Sequence, residues 1–393
     1  MTLRIGVDAT CWSNRRGYGR FARELMLELV ALAPEHQFLC IGDASAFASL
    51  PLVAPNVERI MVPQDAPPTE AASADGFRSL SDLWRLTRAT ARLNLDVFFS
   101  PSVYTYYPLQ PSQRAVVTVH DAIAERFPEL TLPSTRARFF WRLKVGLAVR
   151  QADLVLTVSD YAAEQVAAAH RLPTARIRVA VEAPASCYYP ATPAEVAESQ
   201  AAVGLPPGAA YFTYVGGFSP HKRLDVILRA HAALAAEGQT VPYLLLIGRL
   251  EGDSFLTSRS ELLALIAELG TAGQIIWTGY AADATVRALH TGAVASLLVS
   301  ESEGFGLPAV EAAACGTPVI ATTESPLPHL LAGGGIFVAP GDLSALTEAM
   351  GRLLQSPVAA RALGQIAREG AARLTWRRTA EATLSALQEA AAA

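Results

Sequence analysis

The sequence of 393 residues has few of the features that mark exported, membrane-spanning and nucleic-acid-binding proteins. Its four cysteines lack metal-like spacing, and a chain of this length does not depend on disulfides, so we expect reduced thiols in a cytoplasmic protein. No apolar stretch approaches about 18 residues without a charge, and no basic-then-apolar leader precedes the first predicted strand. The net charge of -4 and the pI near 6.0 predict no nucleic-acid partner.

What the sequence does contain is a hydrophobic content of 51%, which indicates that much of the chain is interior, and its length suggests about two domains with separate cores. Short apolar segments alternate with longer helical patterns in two series, which is typical of parallel sheets covered by helices. The first series of predicted strands lies at residues 3–8, 38–42, 57–62, 96–100, 115–120, 154–159 and 177–181. The second lies at residues 211–216, 243–248, 275–279, 296–300, 318–322 and 336–338. The Pro- and Ala-rich segment 184–208 is predicted to connect them, so the predicted class is α/β with two doubly wound domains.

The stretch from Ser300 to Ile320 carries the most chemical information. Glu303 and a glycine-containing turn precede a helix that is predicted to open at Pro308, and Glu311 lies at most one turn inside it. A helix N-terminus with glycines beside it favours an anion. Carboxylates repel phosphate but accept hydrogen bonds from vicinal hydroxyls, so the ligand predicted here is a nucleoside-diphosphate sugar.

The segment EGFGLPAVEAAACGTPVIA, with Glu303 and Glu311 eight positions apart, resembles the E-x7-E signature of retaining glycosyltransferases of family 4, which have the GT-B fold. The resemblance implies that Glu311 binds the donor ribose and that Glu303 contacts the donor sugar. It also implies that amides of the turn meet the donor sugar and phosphate, at Gly304, Phe305, Gly306 and Leu307.

The same resemblance implies the architecture and the reaction. The GT-B fold consists of two Rossmann-like domains that face each other across a cleft. We expect an acceptor-side domain at residues 1–185, a donor-binding domain at residues 206–375, and a last helix, about residues 376–393, that packs back on the first domain. The motifs are most similar in style to those of bacterial mannosyltransferases. The predicted reaction transfers a hexose, with GDP-mannose as the first candidate donor and UDP-hexoses next, to a glycan or lipid-linked acceptor in polysaccharide biosynthesis.

A second predicted anion site follows the strand at residues 211–216. Gly217 is followed by Ser219, predicted to cap a helix, and by Lys222, which adds a positive charge near the helix start. The family places an Arg and a Lys here on the donor diphosphate, and Lys222 matches the Lys. The position that usually holds Arg is Phe218, so we predict that Arg223 or Arg249 supplies the second charge.

Two further candidates lie in the N-terminal half. Gly17, Tyr18 and Gly19 precede a helix predicted over residues 21–32, and they resemble the family's Gly-x-Gly-Arg turn beside donor phosphate and acceptor. An ordinary glycine loop is the alternative for this turn. His120 ends a predicted strand, where a neutral imidazole can hydrogen-bond a sugar hydroxyl, and the family has a His at this place near the donor sugar. A structural histidine is the alternative.

Two basic, aromatic helical patterns cover residues 134–150 and 82–93. Each could lie on an anionic membrane, which would favour a lipid-linked acceptor at the inner face of the cell membrane. The interpretation that we favour is a domain helix with its aromatic face in the core and its charges in water.

For the reaction we expect fixed positive charge and oriented amides at the leaving diphosphate to provide most of the catalysis. Lys222 is assigned to the diphosphate, and Glu303 and His120 to sugar positioning and stabilisation of the cationic sugar. No Asp-x-Asp pair is present to bind a divalent metal, so the predicted enzyme needs neither metal nor cofactor.

Three alternatives are left open. A nicotinamide-dependent oxidoreductase would use the G-x-G-x-x-A pattern from Gly17 to Ala22 with Asp43 as the acidic residue, but it gives Glu303 and Glu311 no role. A nucleotide-sugar epimerase or hydrolase of the same fold, and an inactive sugar-nucleotide-binding subunit, are the other two.

Overall fold

A computed structural model describes residues 2–65, 78–236, 241–248 and 258–393. The chain divides into two compact units. The first contains Met1–Glu182 together with Thr375–Ala393, and the second contains Ala183–Leu374. Each unit is built around its own parallel β-sheet with helices between successive strands. The cysteines are free thiols.

The sheet of the first unit has seven strands in the order β3-β2-β1-β4-β5-β6-β7, and all its pairings are parallel. The central strands are buried along their whole length, as strands covered on both faces must be, and their residues are correspondingly apolar. The strands are β1 (Arg4–Asp8), β2 (Gln37–Gly42), β3 (Val57–Met61), β4 (Val97–Ser100), β5 (Ala115–Thr118), β6 (Leu154–Thr157) and β7 (Ile177–Val179).

The described helices of the first unit are Gly17–Leu32, Ala44–Ser49, Leu80–Ala91, Ile123–Arg126, Pro128–Thr131, Thr135–Gln151, Asp160–His170 and Trp376–Ala392. The last of these returns from the end of the chain and packs against the helix Gly17–Leu32. At its start, the Trp376 ring lies 6.0 Å from that of Phe21, and the Thr379 hydroxyl donates to the backbone carbonyl of Val181. The C-terminal helix is therefore part of the first unit.

The sheet of the second unit has six parallel strands in the order β10-β9-β8-β11-β12-β13. Its main core lies between the sheet and the helices Leu224–Ala236 and Leu343–Gln355, and includes Phe212, Ile227 and Leu246. The strands are β8 (Tyr211–Val215), β9 (Tyr243–Ile247), β10 (Ile275–Gly279), β11 (Ala295–Leu298), β12 (Val319–Thr322) and β13 (Gly335–Val338).

The described helices of the second unit are Pro193–Ala202, Leu224–Ala236, Arg259–Leu269, Asp283–Thr291, Leu307–Ala314, Leu327–Leu330, Leu343–Gln355 and Pro357–Ala371. The first of these lies inside the segment predicted as the connection. It forms because Thr192 and Glu195 make a capping box and Pro193 occupies the first helical position.

All thirteen strands predicted from the sequence are present, with ends that differ by at most two residues. The prediction for the two basic helices was wrong in one respect, because their aromatic residues are not all in the core. In Thr135–Gln151 only Trp141 of the aromatics is buried, whereas Phe139 is 62% exposed. In Leu80–Ala91 the ring of Trp84 is 58% exposed, and the Arg88 guanidinium lies over it. Within the described ranges no helix combines the length and apolar character needed to cross a bilayer.

Candidate functional site

The strand order of the second unit defines where a ligand would bind. From β8 the chain proceeds to β9 on one side, and from β11 it proceeds to β12 on the other, while β8 and β11 are paired neighbours. The loops that leave the carboxyl ends of these two strands therefore diverge and leave a crevice between them. The position between β8 and β11 is the switch point of the sheet. These loops are residues 216–223 and 299–306, which contain seven of the ten site residues predicted in this half of the chain.

The loop after β11 ends at a helix N-terminus suited to an anion. Leu307–Ala314 begins one residue before the predicted Pro308, and Gly306 adopts φ 95°, a left-handed conformation that favours glycine. A Cβ at Gly306 would lie 2.9 Å from Cδ1 of Leu327, so a larger residue here would also have to displace that side chain. Among the described residues, the amides of Phe305, Gly306 and Leu307 donate to no backbone acceptor. They lie where the helix dipole favours negative charge.

Glu303 bridges the two loops that border the crevice. Its Oε1 is 2.7 Å from Nζ of Lys222 and accepts a 2.6 Å hydrogen bond from Oγ of Ser300. The side chain is only 10% exposed, and its own amide donates to the carbonyl of Glu324. The geometry thus presents a positive and a negative group side by side, one suited to phosphate and the other to hydroxyls.

Glu311 is buried, with 4% of its surface exposed, and lies one turn inside Leu307–Ala314. Since this short helix places its second turn directly behind its N-terminus, the carboxylate and the amides of the first turn belong to the same end of the helix. Glu311 thus lies beside the helix start at which the sequence predicts an anion site.

The loop after β8 differs from the prediction in its local structure. Pro220–Lys222 form a single 3-10 turn, and the α-helix begins only at Leu224. The side chain of Ser219 makes no capping hydrogen bond, so the predicted helix cap at this residue was wrong. Lys222 consequently owes its position to the turn and to Glu303 rather than to a helix N-terminus.

The structure also places the residues proposed around the missing arginine. Phe218 is fully buried, with its ring 5.1 Å from that of Trp277, and it contributes to the core. The guanidinium of Arg223 pairs with Glu301 and with Asp225. Arg249 lies outside the described residues. Gly217 is the second residue after β8, and its carbonyl accepts from the hydroxyl of Tyr214.

The corresponding switch point of the first unit lies between β1 and β4. Gly17, Tyr18 and Gly19 form the first turn of the helix Gly17–Leu32, so the helix begins four residues earlier than predicted. A Cβ at Gly19 would lie 2.0 Å from the carbonyl oxygen of Asn14, which explains the glycine. The ring of Tyr18 stacks on that of Tyr104, 4.9 Å away, in the loop after β4. Because β1 ends at Asp8 and the glycine turn begins at Gly17, the turn does not follow β1 directly, as a dinucleotide-binding turn would.

Asp43, the acidic residue of the nicotinamide hypothesis, has a local structural partner. Its carboxylate accepts from the amide of Ala46 and caps the helix Ala44–Ser49.

His120 follows β5 and is 8% exposed. Its Nε2 lies 3.0 Å from the carbonyl oxygen of Pro101, its Nδ1 lies 3.4 Å from a carboxylate oxygen of Glu182, and the Phe21 ring meets it edge-on. Burial raises the pKa of Glu182. Both ring nitrogens thus have protein partners, and Glu182, which sequence reasoning did not identify, is one of them.

Within the second unit the structure therefore brings together Lys222, Glu303 and the start of the helix that carries Glu311. It adds Ser300 and Glu301, which were not predicted. The candidates Gly17, Tyr18, Gly19 and His120 lie in the first unit. In the described parts of the chain, no group of three or more His, Cys, Asp or Glu side chains could hold a metal ion.

Comparisons with known proteins agree with the fold and the motifs. Residues 15–180 match the family model Glycosyltransferase Family 4, and residues 195–370 match Glycosyl transferases group 1. The chain belongs to the group 1 glycosyltransferases. D-inositol 3-phosphate glycosyltransferase of Mycolicibacterium gilvum is 30% identical over 321 residues, which are 80% of this chain and 67% of that protein. O-antigen chain mannosyltransferase B of Escherichia coli is 30% identical over 261 residues, 66% of this chain and 65% of that protein.

This glycosyltransferase thus spans about two thirds of the length of the curated relatives it matches. Among solved structures, sucrose-phosphate synthase from Thermosynechococcus elongatus has a TM-score of 0.75 at 19% identity, with 99% of each chain covered. HepE from Anabaena, in complex with UDP and glucose, has a TM-score of 0.72 at 17% identity, covering 98% of this chain and all of that one. The predicted GT-B fold is confirmed.

Proposed function

We propose that this glycosyltransferase transfers a hexose from a nucleoside-diphosphate sugar to a hydroxyl group of a glycan or lipid-linked acceptor, with retention of the anomeric configuration. The observation that carries the proposal is the juxtaposition of Lys222 and Glu303, 2.7 Å apart, beside the N-terminus of Leu307–Ala314 at the switch point of the second sheet. A donor has the matching groups, since its diphosphate suits the ammonium and amides and its hydroxyls suit the carboxylates.

In the proposed reaction the bond between the anomeric carbon and the diphosphate oxygen breaks, and its electron pair goes to the diphosphate. The acceptor oxygen attacks the same face of the sugar, and its proton passes to the leaving phosphate. Lys222 and the amides of residues 304–307 stabilise the charge that develops on the diphosphate. Glu303 positions the sugar, and Glu311 binds the ribose. His120 remains a predicted sugar contact, and to bind a hydroxyl its ring would exchange Pro101 or Glu182 for the substrate.

GDP-mannose is the first proposed donor, because the motif style and the similarity to a mannosyltransferase both favour it. UDP-hexoses come next, and the complex of HepE with UDP and glucose supports including them. The experiment is release of nucleotide from a panel of GDP- and UDP-sugars, each incubated with pooled acceptors. NMR of the product's anomeric proton then tests retention. Nucleotide release without any acceptor would instead favour a hydrolase or epimerase, and binding without turnover over a broad acceptor panel would favour an inactive subunit.

We also propose that the reaction needs no divalent metal, because Lys222 can neutralise the leaving diphosphate. Turnover in excess chelator should equal turnover in its absence. Loss of activity that Mg²⁺ or Mn²⁺ restores would contradict this proposal.

For the acceptor side, we propose that the exposed face of the helix Thr135–Gln151 contacts an anionic lipid surface. Phe139, Leu143 and Leu147 lie four residues apart on one face of this helix and are 62%, 48% and 45% exposed. The helix contains no acidic residue, and its arginines include Arg136 and Arg150, both exposed at the two ends of that apolar row. Apolar side chains flanked by arginines match the interface of an anionic bilayer.

Co-sedimentation with phosphatidylglycerol vesicles at low salt tests this contact. The protein should bind, and a variant with Phe139→Ser, Leu143→Ser and Leu147→Ser should not, while replacing Val358, which is 71% exposed, by Ser should have no effect. No binding by the unmodified protein, or equal binding by the triple variant, would remove the membrane from the proposal.

A further inference from the structure

Arg223 has an unusual backbone conformation for its residue type. Among the described residues other than glycine, only Arg171 and Arg223 have positive φ, each at 53°. Arg223 ends the 3-10 turn Pro220–Lys222 and precedes the helix that begins at Leu224. Side chains with a Cβ rarely adopt this conformation, so contacts elsewhere must hold the residue in place.

Those contacts come from its own guanidinium. One Nη pairs with the carboxylate of Glu301, and Nε lies 3.2 Å from Oδ1 of Asp225. The guanidinium also lies against the backbone of Gly341, where a Cβ would come within 3.3 Å of Nη1. The side chains of Arg223 and Glu301 are 26% and 19% exposed, so water screens the pair only in part.

The pair links the loops after β8 and β11, and two further contacts between the described residues of these loops do the same. The amide of Glu301 donates a 2.8 Å hydrogen bond to the carbonyl of His221, and Lys222 meets Glu303. Three consecutive residues of the first loop are therefore bound to Glu301 and Glu303 of the second. The two outer links fix the backbone on either side of Lys222.

We propose that Arg223 and Glu301 form a positioning pair that holds Lys222 at the switch point, where it meets the donor diphosphate. This inference rests on the proposed function, since it concerns the same donor site. It gives Arg223 a different role from the diphosphate ligand predicted from sequence. A guanidinium that already faces two carboxylates has its charge balanced within the protein and has little left for an anion. Glu301 acquires a role that no motif suggested.

The variant Glu301→Gln distinguishes the two possible roles of Arg223, diphosphate ligand or positioning residue. The two roles predict changes of opposite sign in nucleotide affinity. If Arg223 bound the diphosphate, removing the carboxylate of Glu301 would free the guanidinium, remove a repulsive charge, and tighten nucleotide binding. If the pair positions Lys222, the same variant loosens the loop and weakens binding. We expect the Kd for GDP and UDP, measured by titration calorimetry, to rise about five- to thirtyfold in Glu301→Gln and in Arg223→Gln. The double variant should be no weaker than either single one. Unchanged or tighter binding by Glu301→Gln would overturn the proposal.

A second variant distinguishes positioning from simple loss of stability. In Arg223→Gly the guanidinium is lost, but glycine accepts φ 53° without strain, so thermal stability should not fall. Nucleotide affinity should still fall about as far as in Arg223→Gln. Full nucleotide affinity in Arg223→Gly would mean that the side chain does not position Lys222.

Two controls complete the design. Glu195→Gln removes the carboxylate of another Arg–Glu pair in the same unit, with Arg287, and should leave the Kd unchanged. Lys222→Met tests the proposed function itself, because it should weaken nucleotide binding at least tenfold. If Lys222→Met has no effect, the donor site is wrong. If Lys222→Met weakens binding and Glu301→Gln does not, only the positioning role fails.

Discussion

Replacing Glu303 by Gln should have opposite effects on nucleotide binding and on catalysis. In the structure the Glu303 carboxylate lies 2.7 Å from the ammonium of Lys222. A diphosphate that binds Lys222 must therefore compete with this carboxylate and bind next to its negative charge. Gln keeps the shape and an oxygen for the Ser300 hydroxyl, which donates to the carboxylate, but it removes the charge.

The size of the effect follows from the distance and the burial. Two unit charges at this separation attract by about 1.5 kcal/mol in bulk water and by about 6 kcal/mol at an effective dielectric constant of 20. The side chains are 21% and 10% exposed, so the site lies between these limits. Desolvation offsets much of the attraction. We expect about 1 to 2 kcal/mol to become available to the diphosphate, which corresponds to GDP or UDP binding about five- to thirtyfold more tightly.

Turnover should fall in this variant, although nucleotide binding becomes tighter. A neutral amide accepts a weaker hydrogen bond from a sugar hydroxyl than a carboxylate does, so kcat of Glu303→Gln should fall at least about tenfold. Calorimetry with GDP and UDP measures the first effect, and nucleotide release from the full donor measures the second. Weaker or unchanged binding of the sugar-free nucleotide would refute the reasoning. It would mean that Glu303 holds Lys222 in position rather than competing with the diphosphate for it. Glu301→Gln and Glu303→Gln would then not have opposite effects on nucleotide affinity.

Three other predictions concern the donor site and the stability of each unit. Glu311→Ala should raise the donor KM about tenfold to a hundredfold, because one charged hydrogen bond to the ribose is lost, and an unchanged KM would remove Glu311 from the site. Gly306→Ala should destabilise the protein by about 1 to 3 kcal/mol in denaturant titrations, since φ 95° and the contact with Leu327 both oppose a Cβ, and equal stability would contradict that. Burial raises the pKa of Glu125 from 4.5 to about 7. The folded state then holds a proton that the unfolded state has lost, so stability should fall by up to about 3 kcal/mol between pH 5 and pH 8. Glu125→Gln should abolish this fall, and parallel pH profiles for the two proteins would show that Glu125 is not its source.

The residues of the candidate donor site were predictable because each sits in a local pattern. Gly306, Leu307 and Glu311 are consecutive or one turn apart at a helix start, and Lys222 lies in the loop that follows a buried strand. Glu301 could not be found in this way, because its partner lies 78 positions away and neither residue looks unusual in its own segment.

Two other failures have the same cause. The exposure of Phe139 depends on what lies over the helix, not on the spacing of its apolar residues. The helix predicted to begin around Pro220 was displaced to Leu224 because Arg223, held by Glu301, takes a left-handed conformation that interrupts it.

By itself the sequence determined the alternation of strands and helices, since this depends on residues close together along the chain. Only the tertiary structure decided which charges meet. Parallel strands bring the ends of β8 and β11 side by side although about 80 residues separate them, and that pairing sets Lys222 against Glu303 and Arg223 against Glu301. A salt bridge depends on distance in space, and spacing along the chain does not encode that distance until the sheet has formed.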